Sequence, residues 1–110
     1  MNSTKTEHSW ESFLRFYTGQ YKGRKTRLGV FEKRPEVTVD YWVESGLPLI
    51  GIDIDLSGER PSIEVLLEGY SHSVANVRAL DAHFSPEGDE DGLDIRHDDG
   101  KTTILRFEYH

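Results

Sequence analysis

Apolar and polar residues alternate over most of this chain, in short runs closed by glycine, proline, serine or aspartate. A period of two marks strands with one buried face. The clearest case is 46–68. Ile50, Ile52, Ile54 and Leu56 fall on one face, Ile63, Val65 and Leu67 answer from a second strand, and the intervening Ser-Gly-Glu-Arg-Pro reverses the chain. The pattern predicts a β-hairpin with Ile52, Ile54 and Val65 in the core.

The same reading predicts strands over 24–31, 37–44, 78–84, 93–97 and 102–109. In the first, Thr26, Leu28 and Val30 share a face, with Lys25 and Arg27 opposite. In the second, Val37, Val39, Tyr41 and Val43 share a face, with Asp40 and Trp42 opposite, and Pro35 divides the two strands. Over 70–77 the alternation lapses, which predicts a connection. The acidic stretch 85–91 is expected to be a mobile loop, and Asp98, Asp99 and Gly100 to turn the last hairpin. One segment follows helical spacing instead: Trp10, Phe13, Leu14 and Tyr17, with Ser9 as cap, Glu11 in the first turn, and Gly19 and Gly23 closing it.

These elements predict a mainly β (α+β) fold. About seven strands form an antiparallel meander, strongly bent or rolled into a partly open barrel, with one N-terminal helix packed on it. A short helix is marginal in water without a sheet to lie on, and a flat sheet of this width exposes its edges. Residues 1–8 read as a disordered tail and 9–110 as a single domain, a size that buries about two-thirds of the unfolded surface.

Charge adds a division along the chain. The net charge is −7, yet residues 1–34 hold eight Lys and Arg against three acids, and residues 35–110 hold five against seventeen. The two parts are expected to attract. Pairing Val30 with Val37 and Leu28 with Val39 sets Arg27 opposite Asp40 and leaves Lys25 beside Trp42. Phe31, Tyr41, Trp42 and Tyr109 beside these cations resemble the platforms of single-strand binders, but an acidic chain repels polyanions and nucleic acid is disfavoured. The absence of cysteine excludes disulfides, thiolate metal sites and thiol nucleophiles. With no spanning run and no signal-like apolar segment, we expect a cytoplasmic monomer or weak homodimer without membrane partners.

Candidate chemistry is sparse. Asp53, Asp55, Ser57 and Gly58, with Glu64 eleven positions after Asp53, match part of a calcium loop, but their flanks read as strands rather than helices. In either hairpin register Glu64 opposes Asp53 or Asp55, a repulsion that a divalent cation or a basic side chain would relieve. His72 stands alone in the connection, and His83 shares a strand face with Asp81, so these three are the acid–base candidates. No serine sits in a nucleophile elbow and no glycine pair forms a phosphate loop.

Several landmarks recur in order: Trp10 and Phe13, Gly46-Leu47-Pro48-Leu49 followed by Gly51-Ile52, His72, and Asp98-Asp99-Gly100 leading into Leu105-Arg106-Phe107. In this order and spacing the chain resembles, from Trp10 to Phe107, a family of short bacterial proteins known only as a domain of unknown function. The resemblance implies a bacterial, single-domain, intracellular protein and carries no activity or catalytic residues. The residues therefore read as a non-catalytic binding or protein-interaction module with no cofactor, for an unknown protein or small-molecule partner. The alternatives are a small hydrolase or isomerase using His72 or His83, and divalent-cation binding at Asp53, Asp55 and Glu64.

Overall fold

Among the described residues seven antiparallel strands form one sheet, not closed into a barrel, with one helix at the N-terminal end. The structure, a computed structural model, describes residues 3–33, 38–97 and 100–108. Pro35, Val37, Asp98, Asp99 and Tyr109 lie outside them. The elements are α1 (Ser3–Tyr21), β1 (Lys25–Lys33), β2 (Thr38–Asp55), β3 (Ser62–Leu67), β4 (Tyr70–Val74), β5 (Val77–Phe84), β6 (Glu90–His97) and β7 (Lys101–Phe107).

The strand order is β4-β3-β2-β1-β7-β6-β5. Consecutive strands pair, as a meander requires, except β4 and β5, which form the two edges. β1 and β7 pair instead, with Thr26 facing Phe107 and Val30 facing Thr103. The sheet is thus a ring of seven opened between β4 and β5. There the linking Asn76 adopts a positive φ of 54°, and the amide of Val77 donates to the carbonyl of Pro61 at 3.0 Å, holding the start of β5 to the turn before β3.

Seven was the expected number of strands, but two of the expected elements change. The strands expected at 37–44 and after Gly46 are one 18-residue strand, β2. Its first part pairs with β1 and its second with β3, and Gly46 at φ 84° lies between them. Pro48 fits a continuous strand because it needs only its carbonyl here, which accepts from Glu68 at 2.9 Å. The segment expected as a connection contains β4, where Tyr70 and His72 face inward beside Leu67 and Val65. Of its inward residues Tyr70, His72 and Val74, only the last is aliphatic, which masks the strand pattern.

A register shift between Leu49 and Gly51 also changes the expected face of β2. Leu49 and Ile52 are buried, Ile50 is 43% exposed and Ile54 is only half-buried. Ile52 and Val65 therefore belong to the core as expected, while Ile50 does not. The core runs over the inner face through Leu28, Ile63, Val65, Leu93, Ile95 and Leu105. Each such side chain contributes about 1.5–3 kcal/mol by leaving water.

The helix begins at Ser3 rather than at Ser9, takes in residues 3–8 and continues through Gly19 to Tyr21. Gly23, at φ 91°, ends it, its amide donating to the Leu49 carbonyl at 2.8 Å. Leu14 and Tyr17 are buried against the sheet, and Thr18 Oγ1 accepts from the Ile52 amide at 3.2 Å. Tyr17 and Tyr21 continue onto Phe107, with ring centroids 6.0 and 4.6 Å away, and Arg24 lies 5.0 Å over Phe107.

The expected pairing of Arg27 with Asp40 is replaced by a different register. Val30 faces Tyr41 and Leu28 faces Glu44, with a register shift on either side of Leu28. Arg27 stacks 4.7 Å over the Trp42 ring. That ring lies across Gly29, where a Cβ would stand 2.7 Å from it. Arg24 and Arg27 thus spend their charge on aromatic faces.

Candidate functional site

One concave cleft gathers polar side chains from strands far apart in sequence. It encloses about 320 Å³ and is lined by Val30 of β1, Tyr41 of β2, His72 of β4, His97 of β6, and Lys101 and Thr103 of β7. β4 and β6 are five inter-strand steps apart, about 24 Å in a flat sheet. Their meeting in one small cleft shows how far the sheet curls.

The ladders explain why these residues point inward. Val30 faces Tyr41 on one side and Thr103 on the other, and Thr103 faces Ile95, so one transverse row crosses four strands on the inner face. His72 faces the buried Val65 and shares its side of the sheet. Thr103 is fully buried, and its Oγ1 lies 2.7 Å from His97 Nε2. A buried hydroxyl is costly without such a partner. His72 is half-buried, and burial pushes its pKa below the ordinary value, favouring the neutral imidazole. Neutral, it presents one donor and one acceptor to the cleft.

A second depression, of about 430 Å³, adjoins it at the β5–β6–β7 end and is lined by Arg78, Arg96, His97, Lys101 and Thr102. His97 and Lys101 line both.

The other expected site residues are dispersed. Asp81 and His83 do not act together: Asp81 accepts from Arg96 Nε at 3.1 Å, while His83 Nδ1 meets Asp91 at 2.6 Å. Asp91 and Glu90 were expected in a mobile acidic loop, yet both lie on β6 and are partly buried, Glu90 accepting from the Tyr21 hydroxyl at 2.5 Å. The turn before them is hydrogen-bonded, Ser85 N to Asp89 O at 2.8 Å and Gly88 N to Ser85 O at 2.9 Å. Beside Glu90 the Tyr17 hydroxyl is buried and has no hydrogen-bond partner among the described residues. Burial first, and Glu90 second, raise its pKa far beyond the ordinary tyrosine range.

Asp53 faces Glu64 directly across the β2–β3 ladder. Asp55 is turned toward its own loop, accepting from the Ser57 hydroxyl at 2.6 Å and amide at 2.9 Å, bonds that hold its carboxyl below the usual range. Among the described residues no three His, Asp or Glu side chains are placed to hold a metal ion. No helix among them is long and apolar enough to cross a membrane.

Of the expected catalytic candidates only His72 lies in the cleft. His97 and Thr103 were not singled out by sequence reading, and Tyr41 only as part of an aromatic platform, although a threonine on the alternating face of Leu105 and Phe107 was a visible signal. No family model matches the chain, and neither the curated proteins nor the solved structures contain a match, so geometry alone carries the functional reading.

Proposed function

We propose that this protein is a non-catalytic binding module that takes a small molecule in the concave cleft. The observation that carries this reading is the convergence of Tyr41, His72, His97 and Thr103, from four strands, on one cleft of an otherwise apolar face. Binding sites combine an apolar wall with a few fixed polar groups in this way. Here Val30 supplies wall, the His97–Thr103 bond fixes one ring, and neutral His72 offers a donor and an acceptor.

A second reading, a small enzyme with His72 as general base, is favoured by the lowered pKa of that residue inside a cleft. General base catalysis also needs a partner that orients the imidazole. His83, which is bonded to the Asp91 carboxylate, does not line this cleft. Binding is therefore the better-supported activity.

The test is a titration of the ¹⁵N-labelled protein with a library of neutral polar fragments. Shifts should concentrate at Val30, Tyr41, His72 and Thr103 and vanish in Tyr41→Ala, whose ring is 55% exposed. Fragments that instead gather on the outer face at Trp42 and Phe31 would overturn the proposal.

A further inference from the structure

We propose that the free edge of β5 is a self-association surface, on which two copies of this chain pair their β5 strands antiparallel about a two-fold axis at Ala82. β5 pairs with β6 over Val77–Phe84 and has no strand on its other side. Val77 is tied to Pro61, but among the described residues no backbone group outside β6 bonds to residues 79–84. Alternate residues of such an edge direct their N–H and C=O groups outward, where another strand can take them. With eight residues and no proline, β5 is the longer of the two sheet edges, β4 having five.

The side chains of this strand select a second copy as its occupant. Leu80 and Ala82 face the buried Ile95 and Leu93 and so belong to the inner face, with Phe84 two positions further on. Asp81 and His83, opposite Asp94 and Gly92, belong to the outer face. Phe84 is 56% exposed, an apolar ring left uncovered at the end of an apolar row. A two-fold axis normal to the sheet keeps each face continuous, so only residues of one face can stand opposite one another.

That condition leaves few registers. Centring the axis on Asp81 opposes two carboxylates, and centring it on His83 opposes two imidazoles. Centring it on Leu80 draws in Val77, already held at Pro61, and sets Phe84 beyond the end of the other strand. Centring it on Ala82 sets Leu80 opposite Phe84 and Asp81 opposite His83, and the symmetry makes each pair twice. The contacts within one chain allow this: Arg96 holds Asp81 by Oδ2 and Asp91 meets His83 at Nδ1, which leaves Asp81 Oδ1 and His83 Nε2 for the facing pair. The ladder then runs over 80–84, away from the end of β5 tied to Pro61. Five residues from each chain make a small interface, so the association is weak and concentration-dependent.

Sedimentation equilibrium of the full chain, from micromolar to millimolar at physiological salt, should show a monomer–dimer equilibrium. Phe84→Ser, at an exposed position, should weaken it about tenfold because the Leu80–Phe84 pair occurs twice, and should leave the melting temperature at micromolar concentration unchanged. The chain has no cysteine, so introduced thiols map the register. Ala82→Cys should form a disulfide-linked dimer on mild oxidation, since directly opposed residues lie within bridging distance. An equimolar mixture of Leu80→Cys and Phe84→Cys should give the mixed dimer. Leu80→Cys alone, four positions out of register with its own copy, and Ser71→Cys on β4 should stay unlinked. The wild-type sedimentation decides the matter should a cysteine variant fail to fold. A monomer up to millimolar concentration, open-ended oligomers in place of a dimer, or linkage of Ser71→Cys as fast as that of Ala82→Cys would overturn the proposal.

Discussion

His97 Nε2 and Thr103 Oγ1 stand 2.7 Å apart on the inner face of the sheet, one from the end of β6 and one from the neighbouring β7. The contact satisfies a fully buried hydroxyl and fixes the ring that borders both cavities. Thr103→Val keeps the shape and removes the bond. It should cost about 0.5–1.5 kcal/mol in urea titration and shift the His97 ring ¹⁵N resonances. Unchanged ring resonances would show that the bond does not hold the imidazole.

His72 makes stability depend on pH. Its folded pKa is lowered from 6.5 by burial, so the unfolded chain binds its proton at higher pH than the folded one. The contribution is fully present above 6.5, falls as pH drops toward the lowered folded value, and is gone below it. Melting temperatures measured across that window should decline less steeply in His72→Gln than in the wild type. Equal slopes would remove His72 as a source of acid sensitivity.

Two isoleucines on the same face of β2, both beyond the bulge, are buried to different depths. Ile52 is 5% exposed and Ile54 half-buried. Ile52→Ala should cost about 2–5 kcal/mol through the cavity it leaves, and Ile54→Ala clearly less, on the order of 1 kcal/mol. Equal costs from urea unfolding would show that Ile54 is packed as tightly as Ile52.

Two glycines are required by space rather than by backbone angle. A Cβ at Gly92 would lie 2.1 Å from the Leu105 carbonyl oxygen, and one at Gly29 would lie 2.7 Å from the Trp42 ring and 2.9 Å from the Tyr41 carbonyl. Gly29→Ala should destabilise by about 1–3 kcal/mol and shift tryptophan fluorescence as the Trp42 ring moves off Arg27. Gly92→Ala should be worse, because the obstruction is a backbone atom in the β6–β7 ladder. A Gly92→Ala protein as stable as the wild type in thermal melts would contradict the close pairing of these strands.

Alternation by itself determined most of the strands, the hairpin at 46–68 and the burial of Ile52 and Val65, because facing one apolar layer imposes a local period of two. It likewise placed Leu14 and Tyr17 on the buried side of a helix. Local pattern ended where other physics entered. A bulge reverses the phase of a strand without changing its composition, so Ile50 points outward. A bend at Gly46 turns what looks like two strands into one. β4 hides because Tyr70, Ser71, His72 and Ser73 do not alternate in polarity. The pairing of β1 with β7 depends on residues some eighty positions apart, and only that closure, leaving the ring open between β4 and β5, brings His72 within one cleft of His97 and Thr103. Which residues face inward is mostly a property of neighbours along the chain; which inward residues meet is decided by the curl of the sheet.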